Sequence, residues 1–367
     1  MGILSSLFGK NNTPTIKTSQ EFWAWFSKNE GSFFKIIQSG NNIDKDFFSK
    51  LSPMLDQLHE GILFLVGMHD SQTAELVLSA DGVVKNIPFI EALISEAPSL
   101  PGWRFTALKP AMDIEGFGLS MAGNTFNEEK LFFYANEDPN TPDEIDLVIV
   151  HTDFKESDRS NFSNGIFIFL DNYLGELNMV TMIDELSMVG KEEARAELIP
   201  IPKLKDYLIW REKEFMEKYG ELRYLEEKGN FNSLEAELEN GKRLIAIVNS
   251  SILDWDGKAS HPWVMAIEIK YNGAGNNGMP DERNYALMDQ FEDQLLEKLE
   301  PKDGYLNIGR QTADGLRVIY FACADFRKPV RITDQAILEF KEKLNITYDI
   351  YKDKYWKTFD RFIPEVS

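Results

Sequence analysis

The stretch IEIKYNGAGNNGMPDERNYALMDQFEDQLLEKL, residues 267–299, decides the fold. An apparent strand runs into Gly273, Gly275 and Gly278, which spell G-x-G-x-x-G, and an apparent helix follows. A dinucleotide-binding turn has that order, inside a parallel βαβ unit whose helix N-terminus faces a pyrophosphate. Three features argue against it here. Pro280, Asp281 and Glu282 open the helix. Proline suits the first helical position and acids suit the positive helix end, but the same acids repel a phosphate. The acidic residue that should lie ~20 residues on, at the end of the next strand, is missing. Asp293 has the spacing but falls mid-helix. Finally, YLNIGRQTADGLRVIYFACAD (305–325) reads as a hairpin turning at Ala313–Gly315, not as a parallel strand. The glycines are therefore read as a flexible Asn/Gly turn, and no nucleotide or other cofactor is expected.

Working outward, strands and helices group together without strict alternation. That favours α+β with mostly antiparallel sheets flanked by helices. On the C-terminal side, RLIAIVNSS, HPWVMAIEIKY, the helix at 280–299, the 305–325 hairpin, a helix near 333–343 and ITYDIY give the order ββαββαβ. On the N-terminal side, Thr18 can cap a helix with Glu21 three residues later, and a second helical stretch covers 43–58. ILFLVGM and TAELVLSADG then read as paired strands, FIEALISEA as a helix, and GWRFTALKP, GLSMAGN, KLFFYAN, EIDLVIVHT and GIFIFLDN as further strands. The expectation is two α+β domains, ferredoxin-like and divergently repeated. A leader would occupy residues 1–14, an N-terminal domain 15–190, a helical connector 191–241 and a C-terminal domain 242–367.

Charge narrows the function classes. The chain has 367 residues, with 39 Lys plus Arg against 60 Asp plus Glu, a formal charge of −21. Duplex binding depends on cations that displace counterions from phosphate, so no nucleic-acid partner is expected. A protein partner, basic in character, fits better. The single Cys323 excludes an internal disulfide and a multi-thiolate zinc site, and it sits in an apolar strand-like run as a small buried thiol. No apolar run reaches the ~18–20 residues of a membrane helix, so stable membrane insertion is not expected. MGILSSLFGK lacks a secretory signal's cationic start, and a cytoplasmic location is expected. Gly2 and Ser6 fit a myristoylation pattern, but a frayed leader is the plainer reading.

Candidate site residues are mostly carboxylates. GIFIFLDNYLGELNMVTMIDEL reads as a strand emerging into Asp171 and Glu176, with Asp184 and Glu185 beyond. Paired carboxylates at a strand end can bind a metal or move protons. The plainer alternative is a turn whose polar side chains satisfy the backbone. On the 280–299 helix, Asp289 and Asp293 stand at i, i+4, where they could share a hard cation or simply face solvent. Ser120 in GFGLSMAG approximates a nucleophile elbow, but a strand follows where a helix is needed. His59, His69, His151 and His261 form no ligand pair. Trp23, Trp25, Phe33 and Phe34 read as core before they read as a binding platform. No metal site is assigned.

GMPDERNYALMDQFEDQLLEKL, YLNIGRQTADGLRVIYFA and YKDKYWKTFDRF together resemble the bacterial domain-of-unknown-function family 695. Gly278, Pro280, Glu292, Asp293, Tyr320, Phe321, Trp356 and Phe359 carry the likeness, which covers the last third of the chain. The resemblance implies a bacterial origin and supplies no catalytic residues. The leading expectation is a non-enzymatic binding or regulatory module with an acidic surface. The alternative is a metal-assisted hydrolase or small-ligand enzyme using Asp171 with Glu176, or Asp289 with Asp293.

Overall fold

A computed structural model of the chain describes residues 14–116, 118–222, 224 and 229–363. The myristoylation pattern at Gly2 and Ser6 and the leader's Ile3, Leu4, Leu7 and Phe8 lie outside them. The chain divides into two compact units, Met1–Pro110 and Ala111–Ser367.

In the first unit, α1 (Ser19–Ser39) and α2 (Ser49–Leu58) precede β1 (Leu63–Met68), β2 (Ala74–Ser79), α3 (Ile87–Ser95) and β3 (Trp103–Ala107). Thr18 caps α1 by accepting from the Glu21 amide at 3.2 Å. β1 and β2 pair antiparallel, and α3 carries the chain to β3, which lies parallel to β2. Of the N-terminal aromatics, Trp23 and Phe33 are core, and Trp25 and Phe34 are half-buried. Phe26 meets Trp103 edge-on at 4.9 Å, and Trp23 Nε1 donates to the Leu93 carbonyl at 2.8 Å.

The second unit begins with a hairpin, β4 (Gly118–Met121) and β5 (Asn124–Asn127). β6 (Leu131–Asn136), β7 (Asp146–His151), α4 (Arg159–Leu174), α5 (Glu176–Met182), β8 (Glu185–Gly190), β9 (Ile199–Pro200) and α6 (Leu204–Tyr219) follow. The sheet order is β8-β7-β6-β9, with β7 and β8 parallel and the other pairs antiparallel. GIFIFLDN, expected as a strand, lies inside α4. A short apolar run satisfies either element, and the longer window decides it. Phe162, Ile166, Phe169, Leu170 and Tyr173 are buried and recur at helical spacing. The approach of α4 to β5 requires Gly165, since a Cβ there would stand 2.1 Å from Phe126 Cζ.

Next come β10 (Phe231–Glu237), β11 (Arg243–Asn249), α7 (Ser250–Leu253), β12 (Trp263–Lys270), α8 (Glu282–Lys298), β13 (Tyr305–Ala313), β14 (Leu316–Cys323), α9 (Arg327–Phe340) and β15 (Asn345–Lys352). Their six-stranded sheet, β10-β11-β13-β14-β12-β15, is antiparallel throughout. Within it, β12-α8-β13-β14-α9-β15 is the ferredoxin-like split βαβ arrangement, and the β10-β11 hairpin extends it beside β13. Helices α8 and α9 meet through Phe291 and Phe340, ring centroids 5.5 Å apart. A separate apolar cluster joins Val264, Val318 and Tyr320 to Trp356, Phe359 and Phe362 of the C-terminal turn. The fold class is α+β.

The Gly-rich loop is occupied by its own chain. Gly278 has φ +82°, and a Cβ there would meet the Asp314 backbone at 2.9 Å. Its carbonyl accepts from the Gly315 amide at 2.8 Å and the Tyr271 hydroxyl at 2.9 Å. The loop thus packs onto the β13-β14 turn, and Asp281 caps α8 through the Asn284 amide at 2.7 Å.

Gly165→Ala tests the α4 packing. Alanine gains about 1 kcal/mol of helix propensity, yet overpacking typically costs about 1–3 kcal/mol. Urea titration is expected to show net destabilisation, partly restored when Phe126→Leu is added.

Candidate functional site

The predicted carboxylates do not assemble into one cluster. Asp171 lies in the last turn of α4 and Glu176 begins α5, on either side of the turn at Gly175. Glu176 is 1% exposed. On α8, Asp289 is bound by Arg317 Nη1 at 2.8 Å, and that guanidinium also lies over the Tyr285 ring, 4.7 Å from its centroid. Asp293, one turn on, faces solvent. Among the described residues no group of three or more His, Cys, Asp and Glu is placed to hold a metal. Ser120 sits exposed in the β4-β5 hairpin, with no helix after it. His151 is buried between the Thr125 carbonyl and the Asp153 amide, and burial lowers its pKa. Cys323 is buried, which pushes its thiol well above its ordinary range and away from the reactive thiolate.

A buried group of opposed charges lies elsewhere, where the end of β15 meets the β7 and β8 region. Asp184 stands between two ammonium groups, Lys352 Nζ at 2.8 Å and Lys354 Nζ at 2.7 Å. Lys352 also donates to the Thr181 carbonyl at 2.7 Å, and Lys354 to the Asp143 carbonyl at 2.7 Å. Asp184 accepts in addition from the Ile145 amide at 2.7 Å. Burial alone would raise the Asp184 carboxyl, but the two lysines outweigh it and hold it below the usual carboxylate range. One carboxylate cannot fully balance two buried cations. Burial therefore draws Lys352 down to about 8 despite Asp184, with Lys354 adding to the fall.

Asp143 forms the second half of this junction. Its carboxylate accepts from the Tyr219 and Tyr355 hydroxyls, each at 2.7 Å, and from Lys218 at 3.1 Å. Burial opposes its charge, and these three donors together hold its pKa below the ordinary value. Lys357 pairs with Glu144 at 3.0 Å. Four residues of the 352–357 segment thus grip the backbone and acids of 143–144 and 181–184.

The same contacts fix α6. Arg211 Nη2 donates to the Pro142 carbonyl at 2.7 Å, Lys218 and Tyr219 hold Asp143, and Phe215 stacks under Lys354 at 5.0 Å. Between α6 and the 136–144 segment lies a groove of about 550 Å³. Tyr207, Trp210 and Phe215 give it aromatic surface, and Glu137, Asp138 and Glu214 stand exposed along it. Trp210 is 52% exposed, and Ile209 and Met216 on the same helix are more exposed still.

Comparison with known proteins places the junction at a boundary. Residues 238–363 match a family model described as a family of unknown function, DUF695. No curated protein and no solved structure matches the chain. The DUF695 region starts just after β10 and contains Lys352, Lys354, Tyr355 and Lys357. Their partners Asp143, Glu144 and Asp184, and all of α6, precede it.

Sequence reasoning named Asp184 but assigned it no lysine, and it passed over Asp143. The available signal was YKDKYWK, whose lysines at 352 and 354 continue the two-residue alternation of a strand onto one side. In the sequence, Tyr207 and Trp210 fall in a charge-rich connector helix, which hides them.

Asp184→Asn leaves two buried ammonium groups short of a counter-charge, and breaking a buried pair costs about 3–5 kcal/mol. Since the folded carboxyl titrates below its unfolded value, its contribution is full above the ordinary carboxylate range. It is lost as pH falls through the lowered value. Denaturation is expected to separate the variant from the native chain at pH 7, with the gap closing in acid. For Lys352, folded pKa about 8, the native state holds fewer protons than the unfolded state up to about pH 10.4. Its contribution to stability rises over that window, and Lys352→Met should flatten the rise.

Proposed function

We propose that the protein is a binding module that takes a basic polypeptide segment in the groove between α6 and residues 136–144. One observation carries this: a preformed groove with a half-exposed tryptophan as its anchor and exposed acids along it. Exposed Trp and Tyr in a concave site are the residue types that dominate binding energy at interfaces. Their faces also attract ammonium and guanidinium groups. Glu137, Asp138 and Glu214 favour the same cations. The formal charge of −21 adds long-range attraction for a basic partner and speeds its encounter.

The groove is suited to recognition because its walls are pinned. Asp143 receives three donors, Arg211 ties α6 to the Pro142 carbonyl, and Lys218 with Tyr219 ties it to Asp143. A rigid site loses less conformational freedom on binding. Scattered carboxylates, with Asp289 neutralised by Arg317, give the binding reading more support than a carboxylate-based hydrolase.

An array of twelve-residue peptides, Lys/Arg-rich against Asp/Glu-rich with matched apolar residues, probes this with the labelled full chain. Retention is expected on the basic series alone and should weaken as salt is raised. Trp210→Ala should cost about 2 kcal/mol, roughly thirtyfold in Kd. Glu137→Lys with Asp138→Lys should lower the association rate. Retention indifferent to peptide charge and to Trp210 would refute the reading.

A further inference from the structure

A second cavity lies on the neighbouring face of α6, where that helix meets the start of β12, the start of α9 and the end of β15. It measures about 200 Å³. Trp263, Phe326, Phe215 and Met182 give it apolar walls, and Lys352 and Lys354 reach it from β15 and the turn that follows. Neither lysine is sealed off, since their side chains keep 11% and 8% of their surface accessible.

Charge is unevenly met around this cavity. Asp143 is committed to Tyr219, Tyr355 and Lys218. Asp325 accepts from the Arg327 amide at 2.8 Å and pairs with the Arg327 guanidinium at 3.3 Å. Lys352 and Lys354 are left to share Asp184. The carbonyls of Thr181, Ile183 and Asp143 solvate the surplus charge without neutralising it. Burial draws Lys352 down to about 8 even with Asp184 beside it, the behaviour of a cation short of counter-charge. An ammonium group has three protons to give. Lys354 spends one on Asp184 and one on the Asp143 carbonyl, each at 2.7 Å. Its third proton meets no acceptor among the described residues, and the group lies over the Phe215 ring, 5.0 Å from the centroid. Phe215 is itself a wall of the cavity, so this ammonium group stands at the cavity's edge.

We propose that this cavity binds a small apolar monocarboxylate, with its carboxylate on Lys354 and Lys352 and its apolar part against Trp263, Phe326 and Met182. One anion there would set two acids against the two ammonium groups, which is the condition under which buried charges are stable. A single negative charge matches the surplus, and a carboxylate can accept from both lysines at once. The apolar part follows from the aromatic walls. The cavity is smaller than those that enclose drug-sized ligands, so a free small acid suits it better than the end of a polypeptide. Glu212, exposed where it lines the cavity from α6, opposes an anion nearby and favours the carboxylate at the lysine end.

Benzoate, benzamide and acetate separate the charge from the ring. Isothermal titration of the full chain should give one saturable site for benzoate. Benzamide, which offers the lysines no charge, should bind at least about tenfold more weakly, the scale of a charge-assisted hydrogen bond. Acetate should also bind at least about tenfold more weakly, because it leaves the apolar walls uncovered. Lys354→Met should abolish the benzoate site. If that variant does not fold, Met216→Trp carries the test: Met216 is exposed where it lines the cavity, and the larger side chain should block benzoate. Benzoate carries the opposite charge to the groove's basic peptides, so the two sites are read separately. Absence of a saturable benzoate site overturns the proposal. So does equal affinity for benzoate and either of the other compounds, or benzoate binding unchanged by Lys354→Met or, in its place, by Met216→Trp.

Discussion

A single buried carboxylate, Asp184, held between Lys352 and Lys354, is the constraint on which the architecture of the second unit turns. Ionised side chains are expensive to take out of water, and this arrangement buries one anion with two cations. It is sustained because the surplus charge is met by carbonyls: those of Thr181 and Ile183 for Lys352, and of Asp143 for Lys354. Those carbonyls belong to the segments flanking β7 and α5. The charge requirement therefore fixes the end of β15 against a particular stretch of backbone, with a geometry that apolar packing alone would specify less sharply.

That fixation carries outward to the surface. Asp143 presents its carbonyl to Lys354 and its carboxylate to Tyr219, Tyr355 and Lys218. The last turn of α6 is thereby held by the group that is held by the buried lysine. The groove along α6 is thus an outer consequence of the inner charge cluster. Leu204 and Leu208 of α6 face the core, and its polar contacts hold the helix there, leaving Trp210, Ile209 and Met216 exposed. Exposed apolar side chains grouped on one helix beside acids are the kind of surface that a partner covers.

The ferredoxin-like core was legible because its signals are local. The change of period at each strand, the Asp281 cap and the Ala313–Gly315 turn each belong to a few consecutive residues. Of the acids at the start of α8, Asp281 serves as its cap, and the Gly278 loop packs on the β13-β14 turn. Local signals also misled. The eight residues GIFIFLDN alternate no better than they spiral, and only Phe162 upstream and Tyr173 downstream reveal the helix. Strand β10 was overlooked because it is an edge strand with mostly exposed residues, and FNSLEAE reads as polar linker. The site was the least legible part. Asp289 and Asp293 were paired by spacing along one helix, whereas Asp289 is answered by Arg317, which lies on another element. Lys354 and Asp184 are 170 residues apart, and no periodicity connects them.

Through Asp184 the β8-β7-β6-β9 sheet and the six-stranded sheet form one cooperative body. Native-state hydrogen exchange across the second unit tests this most directly. The predicted result is that the slowest amides of β7 and those of β15 open with the same free energy and lose protection together as denaturant is raised. Exchange of β7 and β8 at free energies several kcal/mol below β15, with β12, β14 and β15 still protected, would contradict it. The charge cluster would then be a contact between independent bodies, and the groove would have no rigid frame.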